Sequence, residues 1–134
     1  AKDAVVHDRR GLTVLVRNAL FRRVRLAAAD DHEALGEADV DNGFPAHKWR
    51  AALDEYYDAH EDVLIDADAR SMAFLAIDES DEEAEHVWHV QQTFSDPDGD
   101  HDFAIRADVD LDATQEGDGV VFKEYRAGFI DDLL

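Results

Sequence analysis

Four aspartates alternate along Asp96-x-Asp98-Gly99-Asp100-x-Asp102. At that spacing, successive turn residues can aim several carboxylate oxygens at one hard cation. As a calcium or magnesium set, Asp96, Asp98 and Asp100 are incomplete, because a calcium loop of the familiar kind adds a distant bidentate Glu and the residues after Asp102 read as strand. The competing reading is a hairpin turn on an acid-coated surface. A second constellation pairs His89, Gln91 and Arg106, which alternation can place on one side of a sheet, with Tyr57 and His60 offered by a helix. A His beside a carboxylate can do acid–base work near neutral pH, so these five outline a polar pocket between helices and sheet. The bland reading is a satisfied, partly buried His. A third is the run from Arg9 and Arg10 to Arg25, the chain's only basic concentration. Within it Arg17, Phe21, Arg22 and Arg25 read as a docking face for a neighbouring domain or subunit, as a contact for phosphates, or as ordinary ion-pair partners. His32, His47 and His86 fall in loops or near helix starts with no HExxH spacing to link them. No Ser-His-Asp set stands out. No catalytic residue and no cofactor is assigned.

The elements that must position these groups follow from periodicity. Leu12, Leu15, Val16, Ala19, Leu20, Val24 and Ala27 recur at three- and four-residue spacing, which predicts a helix from Gly11 to about Asp30. Arg17, Arg22 and Arg25, with Phe21 among them, then fall on the other side, and Arg23 nearer the apolar stripe. A short helix is expected from Asp31 to about Ala38, a loop at Asp41-Asn42-Gly43, and a third helix starting near Pro45 and running to about His60. Its stripe is Trp49, Ala52, Leu53, Tyr56, Tyr57 and His60. Beyond Ala69 the period changes from about 3.6 to 2. Met72 to Ile77 reads as a covered strand, Asp78 to Glu85 as an acidic loop, and Val87 to Phe94 as a strand with Trp88, Val90 and Phe94 on one side. After the turn at Pro97 and Gly99, Phe103, Ile105, Ala107, Val109 and Leu111 share one face of a third strand. Gln115 to Gly119 reads as a turn, and Val120 to Ile130 as the last strand. Helices first and a meander afterwards predict an α+β domain, about three helices on a curved four-stranded antiparallel sheet. Its element order resembles cystatin-like and nuclear-transport-factor-like folds.

Composition bounds the function. The chain of 134 residues is expected to form one domain, 1–134, with a core supported by 46% hydrophobic residues. Zero cysteines exclude disulfides, thiolate zinc sites and cysteine nucleophiles. No apolar run is long enough for a membrane span, and no apolar stretch follows the charges of Ala1 to Arg10 before Arg17, so a cytoplasmic protein without membrane attachment is expected. With 33 Asp plus Glu against 13 Lys plus Arg, the formal net charge is −20. At about 1 M salt the Debye length falls to roughly 3 Å, which removes most of that self-repulsion, and a halophilic setting is expected. The same charge opposes non-specific contact with a phosphate backbone.

Three stretches carry a resemblance: Leu15 to Val24 in the first helix, Trp49 to Tyr57 in the third, and Gln92 to Asp102 at the strand turn, followed by Val109-Asp110-Leu111. Together they look like the extreme C-terminal region of large DEAD/DEAH-type helicases, a region of unknown function. The resemblance implies an accessory module for substrate handling, regulation or docking, with a motor domain or another protein as partner, and transfers no catalytic residue. The G-x-x-x-x-G-K-[ST] phosphate loop is missing, so the chain is not itself an ATPase, whether it belongs to a longer helicase or stands alone. The expectation is a non-enzymatic accessory or interaction domain adapted to high salt. The alternative is a free-standing small-molecule-binding or hydrolase-like domain with a pocket between helices and sheet.

Overall fold

In the computed structural model, residues 8–117 and 119–133 are described. They form an α+β arrangement in which three helices precede a four-stranded antiparallel sheet and two short helices lie in its connections. Helix α1, Arg9–Ala28, opens at Asp8, whose Oδ1 accepts the Gly11 N–H at 3.0 Å and satisfies one of the helix's unpaired donors. Its inward stripe is Leu12, Val16, Leu20, Phe21, Arg23, Val24 and Ala27. Leu15, expected within the stripe, is 40% exposed, whereas Phe21, expected among exposed arginines, is only 3% exposed. The helix is thus rotated toward its Phe21 edge, because a later segment of chain covers that edge.

Helix α2, His32–Asp39, is capped the same way by Asp31, and ends in a 3-10 turn, Val40–Asn42, closed by Gly43 in the left-handed region. Helix α3, Ala46–Ala59, follows Pro45, whose extended backbone leads into the first turn. Close approach of α2 to α3 depends on Gly36: a Cβ there would come within 2.5 Å of Ala46 backbone and side-chain atoms. Under these helices Arg23 turns inward, pairing with the fully buried Asp39 at 2.9 Å. Asp39 also accepts from Trp49 Nε1 at 2.8 Å and Asn42 Nδ2 at 2.9 Å, so the buried carboxylate is held by donors from three elements.

The sheet is a meander, β1-β2-β3-β4. β1 is Leu75–Asp78, shorter than the covered strand expected from Met72, which lies in a turn and is 50% exposed. A one-turn helix, α4, Glu82–Glu85, occupies the acidic loop before β2, Val87–Thr93. β3, Phe103–Asp110, alternates as expected, with Phe103, Ile105, Ala107 and Val109 in the core. Leu111 does not continue that strand. Asp110 caps a further helix, α5, Leu111–Glu116, by accepting the Ala113 N–H at 3.1 Å, so helix stands where strand end and turn were expected. β4 is Phe122–Phe129, and the register shifts between Arg106↔Arg126 and Asp108↔Lys123, placing one extra residue in β4. Glu124 takes up the bulge with φ 51°, and the inward parity changes from Phe122 to Tyr125 and Ala127.

Between helices and sheet the space is filled by rings. Tyr56 of α3 lies 5.8 Å from Phe94 and 5.1 Å from Phe103, and these two are 4.8 Å apart. Near α2, Trp49 and Phe44 meet Tyr125. Such contacts add about 0.5–1.5 kcal/mol per pair beyond the apolar area they bury.

Candidate functional site

Strand parity separates the residues of the expected pocket. On β2, Trp88, Val90 and Gln92 point into the core, so His89 and Gln91 project from the opposite face, and Arg106 of β3 joins them there. Gln91 and Arg106 are register partners, and the Arg106 guanidinium donates twice to Gln91 Oε1, at 3.1 and 2.5 Å. Tyr57 remains on the helix side, packed edge-on against Tyr56 and donating its hydroxyl to Ala27 O of α1. The expected pocket under the helices is therefore corrected: its sheet members face away from the core that separates them from Tyr57.

His89 is held on both nitrogens, by Asp108 at 2.6 Å and Asp81 at 2.6 Å. Those hydrogen bonds, Asp108's first, raise its pKa from 6.5 to about 9, so the ring is an imidazolium at neutral pH. Glu85 joins Asp81 and His89 in a donor group whose ligand atoms lie within 4.8 Å of one another. His60, at the end of α3, is the counterpart on the helix side. Its Nε2 faces Asp102 Oδ1 at 2.9 Å, and its Nδ1 faces Asp98 Oδ2 at 3.2 Å and Asp96 Oδ2 at 3.5 Å. Burial works against the charged form of His60, but the bonds to Asp102 and Asp98 and the charge of Asp96 outweigh it, and the pKa is raised.

The aspartates singled out as metal ligands, Asp96, Asp98 and Asp100, do converge, and His60 completes the group within 4.8 Å. Oxygen and imidazole donors suit a hard or borderline divalent cation. Their observed contacts do other work. Asp96 accepts the backbone N–H groups of Asp100 at 2.9 Å and His101 at 2.8 Å, shaping the turn. Although its burial opposes ionisation, those bonds hold its pKa below the usual range. A cation here would displace the proton that lets His60 bind its aspartates. The cluster's geometry fastens the turn after β2 onto α3. His60's place in it was not evident from the sequence, since only its position at the end of the α3 stripe hinted at burial.

The arginine face of α1 is a groove. Arg17, Asn18, Phe21 and Arg25 line it together with Ala67 and Arg70, which arrive from the irregular segment 60–74, and it encloses about 290 Å³. Among the described residues no carboxylate lines it. The guanidinium carbons of Arg25 and Arg70 stand 5.4 and 5.5 Å from the centre of the Phe21 ring, so one buried aromatic organises two cations. Among the described residues Arg9, Arg23 and Lys123 pair with carboxylates, whereas Arg17, Arg22, Arg25 and Arg70, like Arg10, Lys48, Arg50, Arg106 and Arg126 elsewhere, have none within 4.0 Å. Arg22 is exposed outside the groove lining. Arg70 was missed by sequence reasoning because its sequence distance from α1 hides the contact.

These features define a helix-and-sheet module whose cationic groove lies on its surface and whose helix–sheet interface holds the ring contacts of Tyr56, Phe94 and Phe103. The chain belongs to the family described as a domain of unknown function, DUF3516, whose profile matches residues 1–127. No curated protein and no solved structure matches it. No helix among the described residues is long and apolar enough to cross a membrane.

Proposed function

We propose that this chain is an accessory interaction domain that works beside a DEAD/DEAH-type helicase motor in a salt-rich cytoplasm. The observation that carries the reading is the groove of Arg17, Arg25 and Arg70 beside Phe21: three cations clustered in one surface groove, none paired with a carboxylate among the described residues, in a chain with 33 acidic residues. Arginine and aromatic side chains are the types most enriched where protein surfaces meet. The stretches at Leu15 to Val24, Trp49 to Tyr57 and Gln92 to Asp102 supply the link to helicase tails, and the net charge of −20 supplies the link to high salt. The alternative, a small-molecule or hydrolase-like site between helices and sheet, needs room where Tyr56, Phe94 and Phe103 are in ring contact.

The test is association of the chain with a purified DEAD/DEAH-type motor domain in about 1 M salt, alongside nucleotide hydrolysis by the chain alone. Association without hydrolysis by the chain is the expected result. Hydrolysis by the chain alone, or no association with the motor, would overturn the reading.

A further inference from the structure

The groove's surroundings narrow the partner. Val14 lies one helical turn before Asn18 on the same face of α1, and Leu15 lies beside it; they are 38% and 40% exposed. On the other wall Ile65 precedes Ala67 by two residues and Met72 follows Arg70 by two, and each is 50% exposed. Exposed apolar residues thus stand close in sequence to groove residues on both elements that build it, and Val14 shares the helix face of the groove.

A phosphate backbone has no use for those aliphatic groups. Its bases would also find no open ring, because Phe21 is buried and stacked by two guanidiniums. A strand running past the groove would meet a surface dominated by carboxylates, on a chain of net charge −20. A protein segment presents its negative charge locally. Carboxylates fit the planar fork of arginine in bidentate fashion, and neighbouring apolar groups exclude water from such pairs.

Building on the interaction-domain reading, we infer that the groove of Arg17, Arg25 and Arg70, with Val14 and Leu15 beside it, docks a protein segment that carries carboxylates next to apolar side chains. The same segment meets charge at the groove and aliphatic surface at its rim.

The test is fluorescence anisotropy of the full chain with a labelled peptide alternating glutamate with leucine. A peptide alternating glutamate with serine and a labelled thymidine oligonucleotide serve as comparisons, at low and molar salt. The leucine-containing peptide is expected to bind at least about tenfold more tightly than either. The double variant Arg25→Gln/Arg70→Gln should lose at least about tenfold, and Val14→Ser/Leu15→Ser should erase the preference for leucine over serine. Circular dichroism confirms the fold of each variant, and Arg17→Gln provides a second removal of charge, at a groove arginine other than the two over the Phe21 ring. Equal peptide binding by wild type and the folded arginine variants, or tighter binding of the oligonucleotide, would overturn the inference. If the motor domain binds but neither the peptide nor the arginine variants affect it, this inference fails and the interaction-domain reading survives. If the peptide binds through the groove and the motor does not, the inference holds and the helicase partnership fails.

Discussion

At His89 a single imidazole joins Asp81, ahead of β2, to Asp108 on β3. Its folded pKa of about 9 lies above the ordinary value of 6.5, so the folded state binds its proton more tightly than the unfolded chain does. The stability contributed by these bonds is fully present below pH 6.5 and is lost as pH rises through about 9. His60, also raised, adds a loss of the same sign. Because the His89 ring is 38% exposed, solvent screens its pairs, and the share lost should stay near 1 kcal/mol or below. Urea titrations at a series of pH values should show the midpoint falling across that window, and His89→Gln should flatten part of the fall. A midpoint that rises with pH over the same range would contradict the assignment of His89 as a bound cation.

Among the elements, α1, α3, β2 and β3 were legible because each repeats one period over several residues: Leu12, Val16 and Leu20 in one helix, Trp49, Leu53 and Tyr56 in another, and alternation from Phe103 to Val109. The misses are tertiary or local. Leu111 continues the alternation of β3, but the Asp110 side chain, by accepting from the Ala113 backbone, caps the turn of chain into α5. The bulge at Glu124 switches parity inside β4, which a period of two cannot express. At the candidate site, Arg17 and Arg25 were visible as a basic face, but Phe21's burial and Arg70's arrival depend on the 60–74 segment folding back over α1. Packing of α2 on α3 yields a sharp expectation for Gly36. Alanine there would place Cβ 2.5 Å from Ala46, an overpacking cost of about 1–3 kcal/mol that exceeds the roughly 1 kcal/mol gained in helix propensity. Gly36→Ala should therefore lower the urea midpoint without changing the strand signal in circular dichroism, and an unchanged or raised midpoint would show that the two helices can separate freely.

For the whole molecule, charge is the governing quantity. With a net charge of −20 on 134 residues, self-repulsion grows as salt is removed, since the Debye length lengthens from roughly 3 Å at 1 M to roughly 30 Å at 0.01 M. Thermal midpoints followed by circular dichroism should fall steadily over that dilution, and a midpoint independent of salt would refute reliance on screening. The bulge in β4 matters at this scale as well. The meander leaves β1 and β4 each paired on one side, and such rims can be extended by another chain. β1 has only four residues and ends on Asp78, while β4 is kinked at Glu124 and carries Lys123 and Arg126. Neither rim gives a second copy a straight, uncharged ladder to prolong. When salt suppresses the mutual repulsion that otherwise keeps copies apart, the kink still guards the sheet against fibrous growth.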